Sequence, residues 1–280
     1  MALAFGLGLG ASARAAEIPA TFRDGLVFVR VAIGHGPAGT FLLDTGAGVS
    51  ILDGPFAGAA GVRLGDPIDL VGGGGATAAR RAENVRLTLG DGTTTGEVDP
   101  TVADLRRIDQ GMGVHLDGIL GDDLLRQFVV TLDYRASVVR LDPPGSATAP
   151  ADAVRMDGLT APFVAGHVQQ GARGADAEFQ IDTGSNTAIE FWAPFARQVF
   201  PQARVTPGAG MGVGGLTLTE RGRLDALTVA GHTITGPQAN FADRTLPDDA
   251  GPTYGGVIGG PAWRGLILTL DFPHRRVWLR

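Results

Sequence analysis

The sequence predicts an all-β chain of two related, β-barrel-like lobes with a cleft between them, and three observations carry that prediction. Short apolar or alternating runs such as "LVFVRVAIG", "NVRLTLG", "FVVTLDY", "ASVVRL", "LDALTVAG" and "LILTLDF" are separated by Gly, Pro, Asp and Asn clusters, which is the pattern of strands joined by turns. The 280 residues include 44 Gly and 17 Pro, and no segment keeps a helical period for long, although "DDLLRQF" can form a turn or two of helix. The third observation is an internal repeat: "FLLDTGAGVS" at 41–50 returns as "FQIDTGSNTA" at 179–188.

The repeat keeps one register throughout. Asp44 and Asp182 are 138 residues apart (182 − 44), and the same offset separates Gly121 of "DGILGDDLL" from Gly259 of "GGVIGGPAW". It also separates Asp133 of "VVTLDYRASVVRL" from Asp271 of "ILTLDFPHRRVWL". Between these landmarks each half carries a Gly-rich stretch leading into strands, "VGGGGATAARRAENVRLTLG" and "GVGGLTLTERGRLDALTVAG". The first lobe is therefore expected over 17–142 and the second over 154–280, joined by a Pro-rich, small-residue linker at 143–153.

Composition removes several classes of function. A net charge of -6 and a pI near 5.3 do not suit a nucleic-acid surface, and the 23 basic residues, all Arg, are scattered along the chain. With no Cys, thiolate zinc sites, disulfide scaffolds and Cys nucleophiles are excluded, and five scattered His at no ligand spacing offer no metal centre. No metal and no cofactor are expected. The opening "MALAFGLGLGASARAAEIPA" has an apolar stretch followed by Ala13-Arg14-Ala15, the small-x-small pattern of signal cleavage. Residues 1–16 are accordingly expected to be a signal peptide, with a periplasmic or secreted mature chain that has no stable membrane span.

An acid at the end of the apolar run Phe41, Leu42, Leu43 is costly unless it is paired, hydrogen-bonded or open to a cleft. Duplication supplies a partner, because a pseudo-two-fold arrangement of the lobes brings Asp44 to Asp182. Two carboxyls in contact share one proton and titrate as a unit. One member can then take a proton from a water held between them, while the other polarises a carbonyl and returns a proton to a leaving amine. That is machinery for peptide hydrolysis without a metal, a thiol or a covalent intermediate. The Gly-rich runs, with Gly73 and Gly74 in the first lobe and Gly212 and Gly214 in the second, are candidate flaps over an extended peptide.

On both Asp-Thr-Gly triplets, and on the paired motifs Ile119-Leu120-Gly121 and Val257-Ile258-Gly259, the chain resembles the aspartic proteases. The arrangement is similar to the single-chain, two-lobed pepsin-like type, with small lobes and Gly-rich flaps like those of the retroviral type; it is identified as bacterial-type. The shared-proton dyad is itself a standard illustration of pKa splitting drawn from this family. The resemblance implies that Asp44 and Asp182 are catalytic and that Thr45 and Thr183 cross-link their loops. It also implies that Gly46 and Gly184 allow tight turns with amides facing the carboxylates, and that the second motifs support the loops from behind. It implies a peptide or protein substrate in extended conformation and a monomer sufficient for catalysis. The chain departs from the pepsin-like pattern in its tyrosines: Tyr134 and Tyr254 both lie outside the Gly-rich segments.

The triplets are followed by different residues, Ala47 and Ser185. A hydroxyl at 185 can stabilise the Asp182 anion, so Asp44 is the expected holder of the shared proton. Asp122 and Asp123 are expected to be solvated residues at a helix start, and Asp133 and Asp271 to be hydrogen-bonding structural acids. The rival function is a non-catalytic two-lobed protein binding extended peptides by strand pairing, which has no need of both acids and both threonines. A carboxylate-pair glycosidase fits less well, since it holds its acids apart.

Overall fold

The computed structural model describes residues 17–158, 161–201, 204–242 and 254–280. The expected leader at 1–16 lies outside them. Three antiparallel or mixed sheets organise the described chain: one of ten strands from the first lobe, one of nine strands from the second, and one of five strands shared by both.

The two large sheets run through their strands in the same order. In the first, the hairpin Leu64–Gly72/Gly75–Ala82 joins Thr101–Ala103, then Ile51–Asp53, Gly118–Leu120, Gly39–Leu43, Leu26–Ile33, Val85–Leu89 and Thr94–Val98. In the second, the hairpin Thr206–Gly212/Gly215–Arg223 joins Gln238–Ala242, then Ile189–Phe191, Tyr254–Gly259, Arg173–Asp182, Phe163–Gln170, Ala226–Val229 and His232–Thr235. The tenth strand of the first sheet, Ala20–Arg23, lies outside that order and pairs antiparallel with Leu26–Ile33; duplication thus fixes the topology of the other nine. Each lobe fills with the inward face of its alternating runs; Val27, Phe41, Leu43 and Leu87 in the first and Phe179, Ile181, Phe191 and Leu227 in the second are fully buried.

The shared sheet lies on the pseudo-two-fold. Val129–Asp133 pairs antiparallel with Ile267–Asp271, with Thr131 opposite Thr269 at the centre and their hydroxyls 3.3 Å apart. Val138–Asp142 flanks one side, and Arg276–Leu279 with Val154–Arg155 the other. Asp133 Oδ1 accepts the N–H groups of Arg135 and Ala136, and Asp271 Oδ1 accepts the N–H of His274, so both act as hydrogen-bonding structural acids closing a turn.

Short helices punctuate the sheets. Gly54–Ala59, Arg106–Met112 and Ala193–Val199 carry too few turns to show a period, and each is held by packing: Phe56, Ile108 and Phe195 are buried. "DDLLRQF" gives a single turn, Asp122–Leu125. The expectation that Asp122 and Asp123 are solvated is corrected here. Asp122 is 1% exposed and pairs with Arg126, while Asp123 is half-buried and accepts both the N–H (2.8 Å) and the hydroxyl (2.7 Å) of Ser50. Burial pushes both carboxyls above the usual carboxylate range.

Candidate active site

Each triplet sits where an apolar strand leaves the core and meets the second motif of its own lobe. Gly118–Leu120 lies parallel to Gly39–Leu43, pairing Leu120 with Leu43, and the Asp44 N–H donates to Leu120 O at 3.0 Å. In the second lobe Val257, Ile258 and Gly259 pair in parallel with Gln180, Ile181 and Asp182. The glycines of these motifs allow the backbones to touch. A Cβ on Gly121 would collide with the Val49–Ser50 peptide, and one on Gly259 with the Thr187 and Ser185 carbonyls. Ser50 completes the first support, since its hydroxyl accepts Gly121 N–H at 3.0 Å while donating to Asp123.

The threonines lock the loops to each other. Thr45 N–H donates to Thr183 Oγ1 at 3.1 Å and Thr183 N–H donates to Thr45 Oγ1 at 3.2 Å. Each hydroxyl then donates to the strand before the opposite triplet, Thr45 to Ile181 O and Thr183 to Leu43 O, both at 2.7 Å. Both side chains are fully buried, so four bonds are made where water cannot replace them.

That lock brings the two acids together. The Asp44 carboxyl is hydrogen-bonded to that of Asp182. Gly46 and Gly184 are needed for this approach rather than for an unusual backbone angle: a Cβ on Gly46 would strike the Asp182 carboxylate, and one on Gly184 would strike that of Asp44. Asp44 Oδ1 accepts Gly46 N–H at 2.8 Å and Ala47 N–H at 3.0 Å, and Asp182 Oδ1 accepts Gly184 N–H at 2.9 Å. Burial pushes the Asp44 carboxyl above the usual range, while the bond to Asp182 and the two N–H donors pull it part of the way back. The Ser185 hydroxyl, expected beside Asp182, accepts the Thr187 N–H at 3.3 Å.

The Gly-rich runs form the tips of the two long hairpins, and the tips meet. Gly74 N–H donates to Val213 O at 2.8 Å and the Thr217 hydroxyl to Gly73 O at 2.9 Å. Gly214 and Gly215 have φ of +95° and +138°, and Gly214 packs against the backbone of Gly75, so the tip tolerates no side chain there. The second hairpin also leans on the helix Arg106–Met112, where Gly111 lies against the Met211 side chain. Neither tyrosine lies in a flap. Tyr254 stacks edge-on with Phe163 at 5.0 Å, whereas the Tyr134 phenol is buried and its pKa is pushed up by that burial and by the Asp182 charge.

Residues 29–124, which include the first triplet and Ile119-Leu120-Gly121, match the family model described as aspartyl protease. The chain is similar in structure to the aspartic proteinase from Irpex lacteus, with a TM-score of 0.60 and 14% identity over 95% of this chain and 97% of that one. The chain has the aspartic protease fold. No curated protein sequence matches it. Within that fold the sequence reading of both triplets and both second motifs falls on residues that the structure brings together. It missed the Ser50–Asp123 brace, the contact between flap tips, and Gln180, whose Nε2 donates across the lobes to Gly46 O at 3.3 Å. Only Gln180 left a signal, as the polar residue between Phe179 and Ile181 where the first copy has Leu42.

Proposed function

We propose that this chain is an aspartic endopeptidase that hydrolyses peptide bonds with a water activated by Asp44 and Asp182. The observation that carries the reading is the hydrogen-bonded carboxyl pair, each member delivered by its own lobe on a loop that the threonine lock ties to the other. Two carboxyls in contact hold one negative charge more cheaply than two. One carboxyl of the pair keeps the shared proton and the other is the base. In the forward step the ionised member takes a proton from the water as the water oxygen adds to the scissile carbonyl carbon, and the proton of the other member moves to the carbonyl oxygen. Collapse of that tetrahedral species breaks the C–N bond, with the first member giving its proton to the departing amine and the second recovering one from the hydroxyl.

The substrate is a polypeptide in extended form, running under the two flap tips. Closed tips imply that they part for entry. Both acids lie in one chain, so one copy is sufficient. The leader pattern at 1–16 supports action in the periplasm or outside the cell. Digestion of an unfolded protein mixture across acidic to neutral pH, with Asp44→Asn beside the parent, tests the reading. Cleavage by the parent alone is expected. Cleavage that survives the substitution removes the dyad from the mechanism, and a folded parent that binds peptides without cutting them returns the chain to the binding class.

A further inference from the structure

The two halves differ at the position two residues before the catalytic acid, and that difference reaches the acid of the other lobe. Strand alternation puts Gln180 on the same face as Asp182, with Phe179 and Ile181 turned into the core. Gln180 Nε2 donates to Gly46 O at 3.3 Å, and this carbonyl belongs to the peptide unit whose N–H, that of Ala47, donates to Asp44 Oδ1 at 3.0 Å. A carbonyl can only accept, so the amide nitrogen of Gln180 must be the end that faces it. One planar peptide therefore carries a bond from the second lobe on its oxygen and the Asp44 carboxylate on its hydrogen. Hydrogen bonds at both ends of a peptide unit polarise it in the same direction, which makes its N–H a stronger donor.

The pseudo-symmetric position cannot do this. Leu42 is 1% exposed, has no donor, and packs in the first-lobe cluster with Leu26, Phe28 and Ile51. The turns themselves match, since Ala47 N–H also donates to the main-chain oxygen of Asp44 at 3.3 Å, as Ser185 N–H does to that of Asp182 at 3.2 Å; the difference lies in the side chains at 42 and 180.

We propose that Gln180 is a positioning residue for the dyad: by holding the Gly46–Ala47 peptide it aims the Ala47 N–H at Asp44 and makes the two aspartates unequal. This rests on the dyad mechanism proposed above. Gln180 acts through Gly46 and Ala47, so its loss should change the protonation of Asp44 and the chemical step more than the binding of peptide. The ionisable groups around Asp44 do not duplicate the effect. Asp182 is its hydrogen-bonded partner, Asp123 is tied to Ser50, Asp122 is paired with Arg126, Tyr134 is a buried phenol within the field of Asp182, and the Arg107 guanidinium lies by the flap tip at Gly215.

The test is Gln180→Met, which keeps length and volume and removes the donor, with Gln180→Leu as a second variant carrying the side chain of the matched position. The Asp44 carboxyl is titrated by carbon-13 NMR in the full-length chain, alongside kcat and KM on a peptide that the parent cleaves. Weakening one N–H bond to the anion should move the Asp44 step upward by about 0.5–1 pH unit. The same loss should lower kcat about three- to tenfold with KM little changed, the size of a single hydrogen bond in the transition state. Folded variants with an unshifted Asp44 step overturn the proposal, as does a loss confined to melting temperature or KM. The titration needs no turnover, so a parent without peptidase activity would sink the proposed function and leave the positioning role to be decided by NMR alone.

Discussion

The loop at Asp44 and the loop at Asp182 share a backbone, a reciprocal threonine lock and a glycine pressed on the opposite carboxylate, yet their flanks differ. Leu42 and Ala47 border the first triplet, Gln180 and Ser185 the second. What the two copies share is what holds the carboxyls in contact; what they do not share is what gives each carboxyl its own hydrogen-bond surroundings. Pseudo-symmetry here delivers the geometry, and the departures from it supply the chemical inequality an acid and a base require.

Removing either acid should break the comparison completely. Asp44→Asn and Asp182→Asn are each expected to lower kcat by at least about a thousandfold, because neither half of the acid–base pair works alone; a steady-state assay in which one variant keeps most of its activity would show that the copies are not one unit. Next in size are Gly46→Ala and Gly184→Ala. Each new methyl group lands on the opposite carboxylate, so both should lose about a hundredfold in kcat while still folding, and by similar amounts if the close approach is equally tight from both sides.

Thr45→Val and Thr183→Val test the lock. Each removes one hydroxyl that donates to a carbonyl and accepts an N–H, leaving buried groups unpaired, at a cost of about 1–3 kcal/mol per group left unsatisfied. Denaturant titration of the singles and the double should show non-additive losses, since the bonds are reciprocal.

Thr217→Val probes the flaps more gently. Loss of its bond to Gly73 O should speed hydrogen exchange at the Gly74 amide a few-fold, as expected for about 0.5–1 kcal/mol, and leave the fold unchanged.

The smallest effect is electrostatic. His115 bonds Asp109 at 2.7 Å and lies 3.5 Å from Asp117, linking the helix Arg106–Met112 to the residue before Gly118–Leu120. The Asp109 bond raises the imidazole pKa above its ordinary value, opposed by desolvation and helped by the charges of Asp109, Asp117 and Asp53. A raised folded-state pKa means that the stabilisation is fully present below the unfolded pKa of 6.5 and disappears as pH rises through the folded value. His115→Gln should therefore lower the melting temperature slightly in acid and not at alkaline pH; the opposite dependence would reverse the assignment.

Much of this was legible in the sequence for a physical reason. A duplicated lobe repeats its landmarks at one offset, so Asp44 with Asp182, and Gly121 with Gly259, could be paired before any contact was known. The short helices were not legible, because Gly54–Ala59 and Ala193–Val199 contain too few turns to show a period and are held by packing. Asp123 looked like a solvated acid since its donors arrive from Ser50, 73 residues away along the chain. Gln180 was visible as a polar residue in an apolar run, but its partner belongs to the other lobe, and a linear repeat does not reveal contacts made across the axis.

The central claim is that each lobe supplies one carboxyl to a single proton-sharing pair. Carbon-13 titration of the Asp44 and Asp182 carboxyls in the parent chain and in Asp182→Asn tests it most directly. The account predicts two coupled steps reported at both residues in the parent, collapsing to one displaced step at Asp44 when its partner is replaced. Two independent titrations near the ordinary carboxylate value, with Asp44 indifferent to the substitution at 182, would contradict it.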